Sequence, residues 1–478
     1  MGNKQQMNYA YNIRGWLTRI NNPSDNFTTD KLFAMDLYYD NVSTITNLDK
    51  QAQFNGNISG IRWRNNSTTR SAYAYKYDGL SRLKKGDYGE IASASAVTNT
   101  GKYDLAFVTY DKNGNIKTLQ RNNSSGGMKD NLTYDYTGTG NKLSKLNGTF
   151  NGAAISNKTF SYDANGNTTV DNLRGITGIG YFKELNLPKS YTNGSTTIQY
   201  TYDAAGQKWE KKNGSSVVQK YYGDFLYSSA TALDRVFTSE GYVQNGKYHF
   251  YLKDHLGNTR MVVSYERNGG SQTVEQTMEY YPFGSYFTAN NVTKNKYLYN
   301  GKELNQEFFE NYDYGARFYD AQLGRFHTQD RFSEKYYSMS PYHYAGNNPI
   351  KFIDINGDSL TLAAGNKADL QSSINIANAS MGGFYDTSVD NNGLVSITAT
   401  GKQGTITTEQ QAFYDEFSSI VNGSGMTTVN VVYGDQNTLI GDITTATIDA
   451  GDMDIIGSGR YVNEAGAFIH EVHEQYQV

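Results

Sequence analysis

The feature that most constrains this chain is a short unit of the form Tyr-x-x-x-(x)-Gly-x-x that recurs along its first half. Instances are YNIRGWLTRI from Tyr11, YDGLSRLKK from Tyr77, YDKNGNIKTL from Tyr110, YDYTGTGNKLSKL from Tyr134, YDANGNTTV from Tyr162 and YDAAGQKWEKK from Tyr202. In each, an aromatic strand runs into a turn and out into a strand of alternating character. The NG, TG and AG pairs supply the positive φ that a tight turn needs, and the flanking Tyr, Thr, Leu, Ile and Trp suit a pleated, half-buried surface. The unit is therefore a β-hairpin. Spacing between units is irregular, roughly 20 to 40 residues, which argues for a twisting ribbon of hairpins rather than a strict solenoid. Aromatic residues make up 14% of the chain, with 48 Gly and only 5 Pro, a composition that favours a folded, mainly β protein over a disordered one. The tyrosines and aspartates of the units read as scaffold, and none is a catalytic candidate.

The 478 residues divide by charge near Asp358. Residues 1–358 hold 36 of the 41 tyrosines and a formal charge of +7, whereas residues 359–478 hold five tyrosines and a formal charge of -11. Such a split is expected of a scaffold joined to an unrelated passenger. There is no cysteine, which excludes disulfides, thiolate metal sites and cysteine nucleophiles. The N-terminal MGNKQQMNYAYN has no apolar core region of a secretory signal, and no apolar run is long enough to span a membrane. A chain that starts directly on a repeat reads as a fragment of a longer protein.

The segment at the charge boundary, GARFYDAQLGRFHTQD followed by SPYHYAGNNPIKFIDINGD, resembles the RHS-repeat-associated core domain that closes bacterial RHS/YD-repeat proteins, including the C component of insecticidal toxin complexes. Arg317, Tyr319, Asp320, Gly324, Arg325, Phe326, Asp330, Tyr342, Asn347, Asn348, Pro349, Asp354 and Gly357 carry the resemblance. The upstream segments YHFYLKDHLGNTRMVVS from Tyr248, MEYYPFGSYF from Met278 and KYLYNGKELNQE from Lys296 resemble the later repeats of the same family. Within them His255, beside Asp254 in a turn, reads as a structural histidine. The resemblance implies a spiralling β-hairpin shell over residues 1–244, a core domain over 245–358, and a variable toxin-like domain over 359–478. It also implies a shell that encloses its own C-terminal domain as cargo, a secretion machinery and an immunity protein as partners, and a secreted or cell-surface location.

In that family two aspartates about twenty residues apart are brought together and the chain is cut just after the second. The matching residues are Asp330 and Asp354. Two carboxyls at close range do not both ionise readily, so one can hold a proton and act as acid while the other acts as base. The sequence departs from the family at three places: Arg331 and Ile355 follow the aspartates where proline is usual, and Asp358 and Ser359 follow Gly357 in place of leucine. Arg331 is expected to hold Asp330 ionised. Two readings remain for the pair: self-cleavage near Gly357, or aspartates that only close turns.

Residues 359–478 read as a small α+β domain. Helices are expected over 367–379, 408–421 and from 463, with strands near 393–399, 427–433 and 442–448. The last helix places His470, His473 and Glu474 on one face with Glu471 beside them, and Ala465, Phe468, Ile469, Val472 and Tyr476 on the other. This resembles the H-E-x-x-H helix of zinc metallopeptidases, with Glu474 where the second histidine belongs. His470 and Glu474 are then candidate zinc ligands, His473 a substitute for either, and Glu471 the base. The other reading is an acidic, solvated helix. The negative charge of this tract argues against a nucleic-acid partner.

The reading that follows is a mainly β RHS-type shell protein that encloses and delivers a C-terminal effector, with aspartate-dependent self-cleavage and a zinc-dependent hydrolase tail. The alternative is a non-enzymatic cell-surface YD-repeat protein that binds carbohydrate or protein.

Overall fold

The computed structural model describes residues 5–357 apart from 25–29, 42–44, 46, 68, 93–96, 100, 267–271, 308–309 and 337–338; beyond these it describes only 360–362, 385–389, 395–400, 402, 430–432, 441–442 and 447–449. By internal contacts the chain falls into two compact units, Met1–Ala10 with Thr18–Leu360 and Tyr11–Leu17 with Thr361–Val478.

Among the described residues the first unit is a succession of antiparallel strands paired almost entirely in chain order. One large sheet runs in chain order to the strand Thr168–Asp171, and a 12-stranded sheet from Gly178–Tyr181 to Tyr286–Asn290. An isolated bridge between Asp171 and Ile176 links their ends. A third sheet of four short strands follows, Glu303–Asn305, Asn311–Asp313, Phe318–Asp320 and Arg325–Phe326. Sequential pairing keeps loop closure local, which is what a chain of tight-turn hairpins produces.

The recurring Tyr-Asp pair has a physical role at each turn. Asp111 Oδ1 accepts the backbone N–H groups of Asn113 and Asn115, both at 2.9 Å, and Gly114 follows at φ +78°. Asp78, Asp203 and Asp254 accept from the residues two and four ahead in the same way. The aspartate thus folds its own turn, in the manner of an Asx turn. The preceding tyrosine links neighbouring units: Tyr110 donates its hydroxyl hydrogen to the Leu83 carbonyl at 2.7 Å, and Tyr77 to that of Ile58 at 2.6 Å. The scaffold reading of both residue types holds.

The third sheet and the loops after it are mounted on both large sheets. Towards the first, buried Arg121 pairs with Asp130 at 2.9 Å and donates to the Gln322 carbonyl at 2.7 Å, Arg325 donates to Tyr136 Oη at 3.0 Å, and Tyr342 donates to the Gly166 carbonyl at 2.6 Å. Towards the second, Lys208 pairs with Glu303 at 2.6 Å and Asp313 at 2.7 Å, while Phe318 packs among Ile176, Ile179, Tyr191, Ile198 and Tyr200. Tyr299, Tyr312, Tyr314, Tyr319, Phe326 and Tyr344 form the core beneath it, their rings crossing tilted or edge-on in most pairs, with Tyr319 and Tyr344 stacked at 4.0 Å. His255 is buried with Nε2 2.9 Å from the Ile350 carbonyl, a structural position as expected.

Among the described residues of the second unit, Tyr385–Val389 pairs antiparallel with Val395–Ala399. Asn430–Val432 pairs parallel with Thr447–Asp449, which also pairs antiparallel with Gly441–Asp442. The single strand expected over 442–448 is therefore the two arms of a fold-back, because Gly441 stands opposite Ile448. The three expected helices lie outside the described residues. No helix among the described residues is long and apolar enough to cross a membrane.

Candidate active site at the junction

The turn at Gly315, with φ +91° and its N–H held by Asp313 Oδ1 at 2.8 Å, delivers Arg317 to the start of the strand Phe318–Asp320. Asp354 ends the short strand Phe352–Asp354, and the Asp330 N–H bonds to the Pro341 carbonyl at 2.9 Å. These three elements converge. One guanidinium nitrogen of Arg317, Nη2, lies 3.0 Å from Asp330 Oδ2 and 3.1 Å from Asp354 Oδ2. All three residues are at least 95% buried. The two aspartates singled out in the sequence are thus brought together across 24 positions, with a cation between them.

Each carboxylate uses its other oxygen locally. Asp330 Oδ1 accepts the Phe332 N–H at 2.8 Å, and Asp354 Oδ1 accepts the Gly357 N–H at 2.6 Å. Turn closure and pairing employ different oxygens, so the two roles weighed for these residues are compatible. The cation paired with Asp330 is Arg317. Arg331, the chain neighbour of Asp330, lies over the Phe332 ring. Strand pairing of Phe318–Asp320 brings Arg317 to Asp330 from thirteen residues away. The remaining donors of Arg317 are also used: Nη1 reaches the Pro341 carbonyl at 3.2 Å, Nε donates to the Gly357 carbonyl, and the planar group stacks 3.8 Å from the Phe326 centroid. Only a planar five-donor fork can serve so many acceptors at once.

The segment that leads out of the site is gripped at every carbonyl. Ile355 O accepts from Lys302 Nζ, Asn356 O from the Ala316 N–H at 2.9 Å, and Gly357 O from Arg317 Nε. Gly357 sits at φ +89°, where an added Cβ would come 2.8 Å from Arg317 N, so glycine is required. Burial pushes the Lys302 amine down from its ordinary value, with the Asp354 and Asp313 carboxylates opposing. His343, whose Nδ1 lies 2.7 Å from the Ser340 carbonyl, is driven by burial to about 4. Arg317 was visible in the sequence only as part of a resemblance, and Lys302 only within YNGKE. The signal was a basic residue set inside an otherwise aromatic motif.

The metal candidates His470, His473 and Glu474, with Glu471, lie outside the described residues. Among the described residues no group of three His, Asp or Glu side chains could hold a metal ion. A cavity of about 840 Å³, lined in part by Tyr103, Lys129, Tyr286, Phe287 and Glu310, includes no member of the Arg317 cluster.

No protein-family model matches the chain. It is similar to salivary gland surface protein 1 of Aedes aegypti, 28% identical over 205 residues that make up 41% of this chain and 5% of that protein. Among solved structures it is similar to a crystal structure of TcdB2-TccC3 without its hypervariable C-terminal region, at 18% identity and a TM-score of 0.52, covering 73% of this chain and 18% of that one. The chain thus spans a small part of both. At this identity the second likeness concerns fold: the large antiparallel sheets of this chain are of the RHS/YD β-shell type.

Proposed function

We propose that the chain is part of a toxin-type RHS shell protein that cuts itself just past Gly357. In this reading residues 1–244 form shell, 245–358 the closing core domain, and 359–478 an effector passenger that the shell encloses and delivers, with a secretion machinery and an immunity protein as partners. The opposite charges of the two parts, +7 and -11, favour enclosure of one by the other. Resistance of residues 359–478 to added protease in the intact chain tests it, and free digestion refutes it.

The observation that carries self-cleavage is the convergence of Asp330 and Asp354 on Arg317, with Asp354 and Arg317 both bonded to the Gly357 peptide. One carboxylate, ionised, takes a proton from water as the water oxygen attacks the carbonyl carbon of the bond to be cut. The other carboxyl, protonated, gives its proton to the departing amide nitrogen. One water is consumed, a new carboxyl and a new amino terminus form, and the pair ends with one proton as it began. Arg317, against both carboxyls, puts a charged donor on the carbonyl where negative charge would build. Purified chain is expected to give two fragments that together account for 53.3 kDa, with a new amino terminus at Asp358 or Ser359 and no cutting in Asp354→Asn. An intact wild-type chain, or cutting that survives Asp354→Asn, refutes the assignment.

The tail is a zinc-dependent hydrolase in this reading, in which His470 and Glu474, with His473 a substitute for either, would hold the metal and Glu471 would serve as base, supported by the pattern of the last sixteen residues. Zinc content of the chain with and without His470→Ala tests it. A second reading is a non-enzymatic cell-surface YD-repeat protein that binds carbohydrate or protein; its surface location is what the name of the similar salivary gland surface protein 1 supports. A chain that stays whole and holds no zinc would favour that reading.

A further inference from the structure

Lys302 is half-buried and has no carboxylate within ion-pair distance among the described residues. Its neighbour Asp313 is engaged by Lys208 at 2.7 Å, and Asp354 by Arg317 at 3.1 Å. What Lys302 does have is the Ile355 carbonyl, to which Nζ donates, and the face of Tyr314, whose centroid lies 5.3 Å away. Drawing an ammonium even partly out of water with so little compensation is unfavourable, and an apolar side chain of similar length would serve packing as well.

The position of Lys302 is closely determined. It directly follows the tight turn Tyr299–Gly301, in which Asn300 has φ 49° and Gly301 φ 69°. That turn is anchored through Asn300, whose N–H bonds to Asn258 Oδ1 at 2.8 Å, whose Nδ2 bonds to the Leu256 carbonyl at 2.9 Å, and whose Oδ1 accepts from both Tyr314 and Tyr344. The next residue, Glu303, is fixed by pairing with Asp313 and with Lys208. The amine is therefore aimed at one carbonyl, the first of three in succession, and the other two are held by Ala316 and Arg317.

We infer that Lys302 is a positioning residue of the self-cleavage reaction, holding the Ile355 carbonyl so that the peptide from Asp354 to Gly357 is presented in a single conformation to the two aspartates. The inference rests on the self-cleavage reading of the same site. The ligand that Lys302 serves is this chain's own junction peptide, bound by its backbone. Backbone recognition explains how the peptide can be seated although Ile355 and Asp358 replace the proline and leucine of the resembling family, because each of the three clamps grips a carbonyl and none grips a side chain. The contribution is orientational: a peptide held in one pose pays its ordering entropy before the reaction begins.

The test compares first-order self-cleavage rates of wild type, Lys302→Met, Lys302→Arg and Asp354→Asn, alongside their unfolding midpoints in urea. Lys302→Met is expected to cut about tenfold more slowly, the size of one charge-assisted hydrogen bond, with its midpoint unchanged or raised, and Lys302→Arg to recover most of the rate. A slower Lys302→Met whose midpoint falls in step would assign the residue to scaffold and overturn the inference. So would an unchanged rate. Asp354→Asn separates the two ideas: if it still cuts, the reading of the site fails, whatever Lys302 does. A readout independent of cutting uses uncut Asp330→Asn chain, in which hydrogen exchange of the Gly357 amide is expected to quicken when Lys302→Met is added. No change there overturns the inference.

Discussion

Arg317 Nη2 stands 3.1 Å from Asp354 Oδ2, and the same nitrogen is 3.0 Å from Asp330. Removing that cation strands two buried carboxylates. Arg317→Met is expected to destabilise the first unit by about 3–5 kcal/mol, seen as a lower urea midpoint. Arg317→Lys keeps the charge but cannot reach both aspartates, Pro341 and Gly357 together, so it is expected to retain part of the stability and lose self-cleavage.

The aspartate of a hairpin unit is expected to matter through its turn. Asp111 Oδ1 holds two backbone N–H groups and Oδ2 holds Asn115 Nδ2 at 2.9 Å. Asp111→Ala should cost about 1–2 kcal/mol and Asp111→Asn clearly less, since the amide oxygen still accepts both N–H groups. Thermal or urea unfolding of the two variants gives the comparison.

Two glycines with positive φ should respond very differently. At Gly148, with φ +117°, an added Cβ would lie 1.9 Å from the Asn131 carbonyl oxygen on the paired strand, whereas at Gly152, with φ +79°, nothing lies within 4 Å. Gly148→Ala forces the two strands apart and should cost several kcal/mol or prevent folding; Gly152→Ala carries only the strain of its backbone, about 1 kcal/mol. Soluble yield and unfolding midpoints distinguish them.

Stability should fall in mild acid. Burial drives His343 to about 4 and His327 to about 3, against 6.5 for a free histidine. Below 6.5 the unfolded chain therefore binds protons that the folded chain does not, and the stabilisation present at neutral pH is lost as pH falls from 6.5 towards 4. Glu303, held at about 2 despite its burial by Lys208 and Lys211, adds a loss in the same direction at lower pH. Asp104, raised by burial to about 6, works the other way and softens the decline. Urea unfolding at pH 7 and pH 4.5 should show a net loss on the order of 2 kcal/mol, reduced in His343→Asn, whose amide nitrogen sits where Nδ1 does and can still donate towards the Ser340 carbonyl.

Much of the hairpin architecture could be read from residues alone. Tyr110, Asp111 and Gly114 act within five positions, so the turn they make is a local property of the chain, and repetition of that unit dictates sequential antiparallel pairing. Asp330 and Asp354 could be named because the motifs around them are long. The strand over 442–448 was less legible, since a fold-back and one continuous strand share the same composition.

What no local pattern contains is the cation between the aspartates. Arg331 is next to Asp330 in the chain and Arg317 is thirteen residues away, yet the guanidinium in the site is that of Arg317, because pairing of the strand Phe318–Asp320 with its neighbours fixes where that side chain points. Lys302 reaches Ile355 across 53 positions by the same kind of long-range placement. Turn chemistry depends on neighbours along the chain and was determined by the sequence; charge pairing in a buried site depends on neighbours in space, and only the tertiary structure decided it.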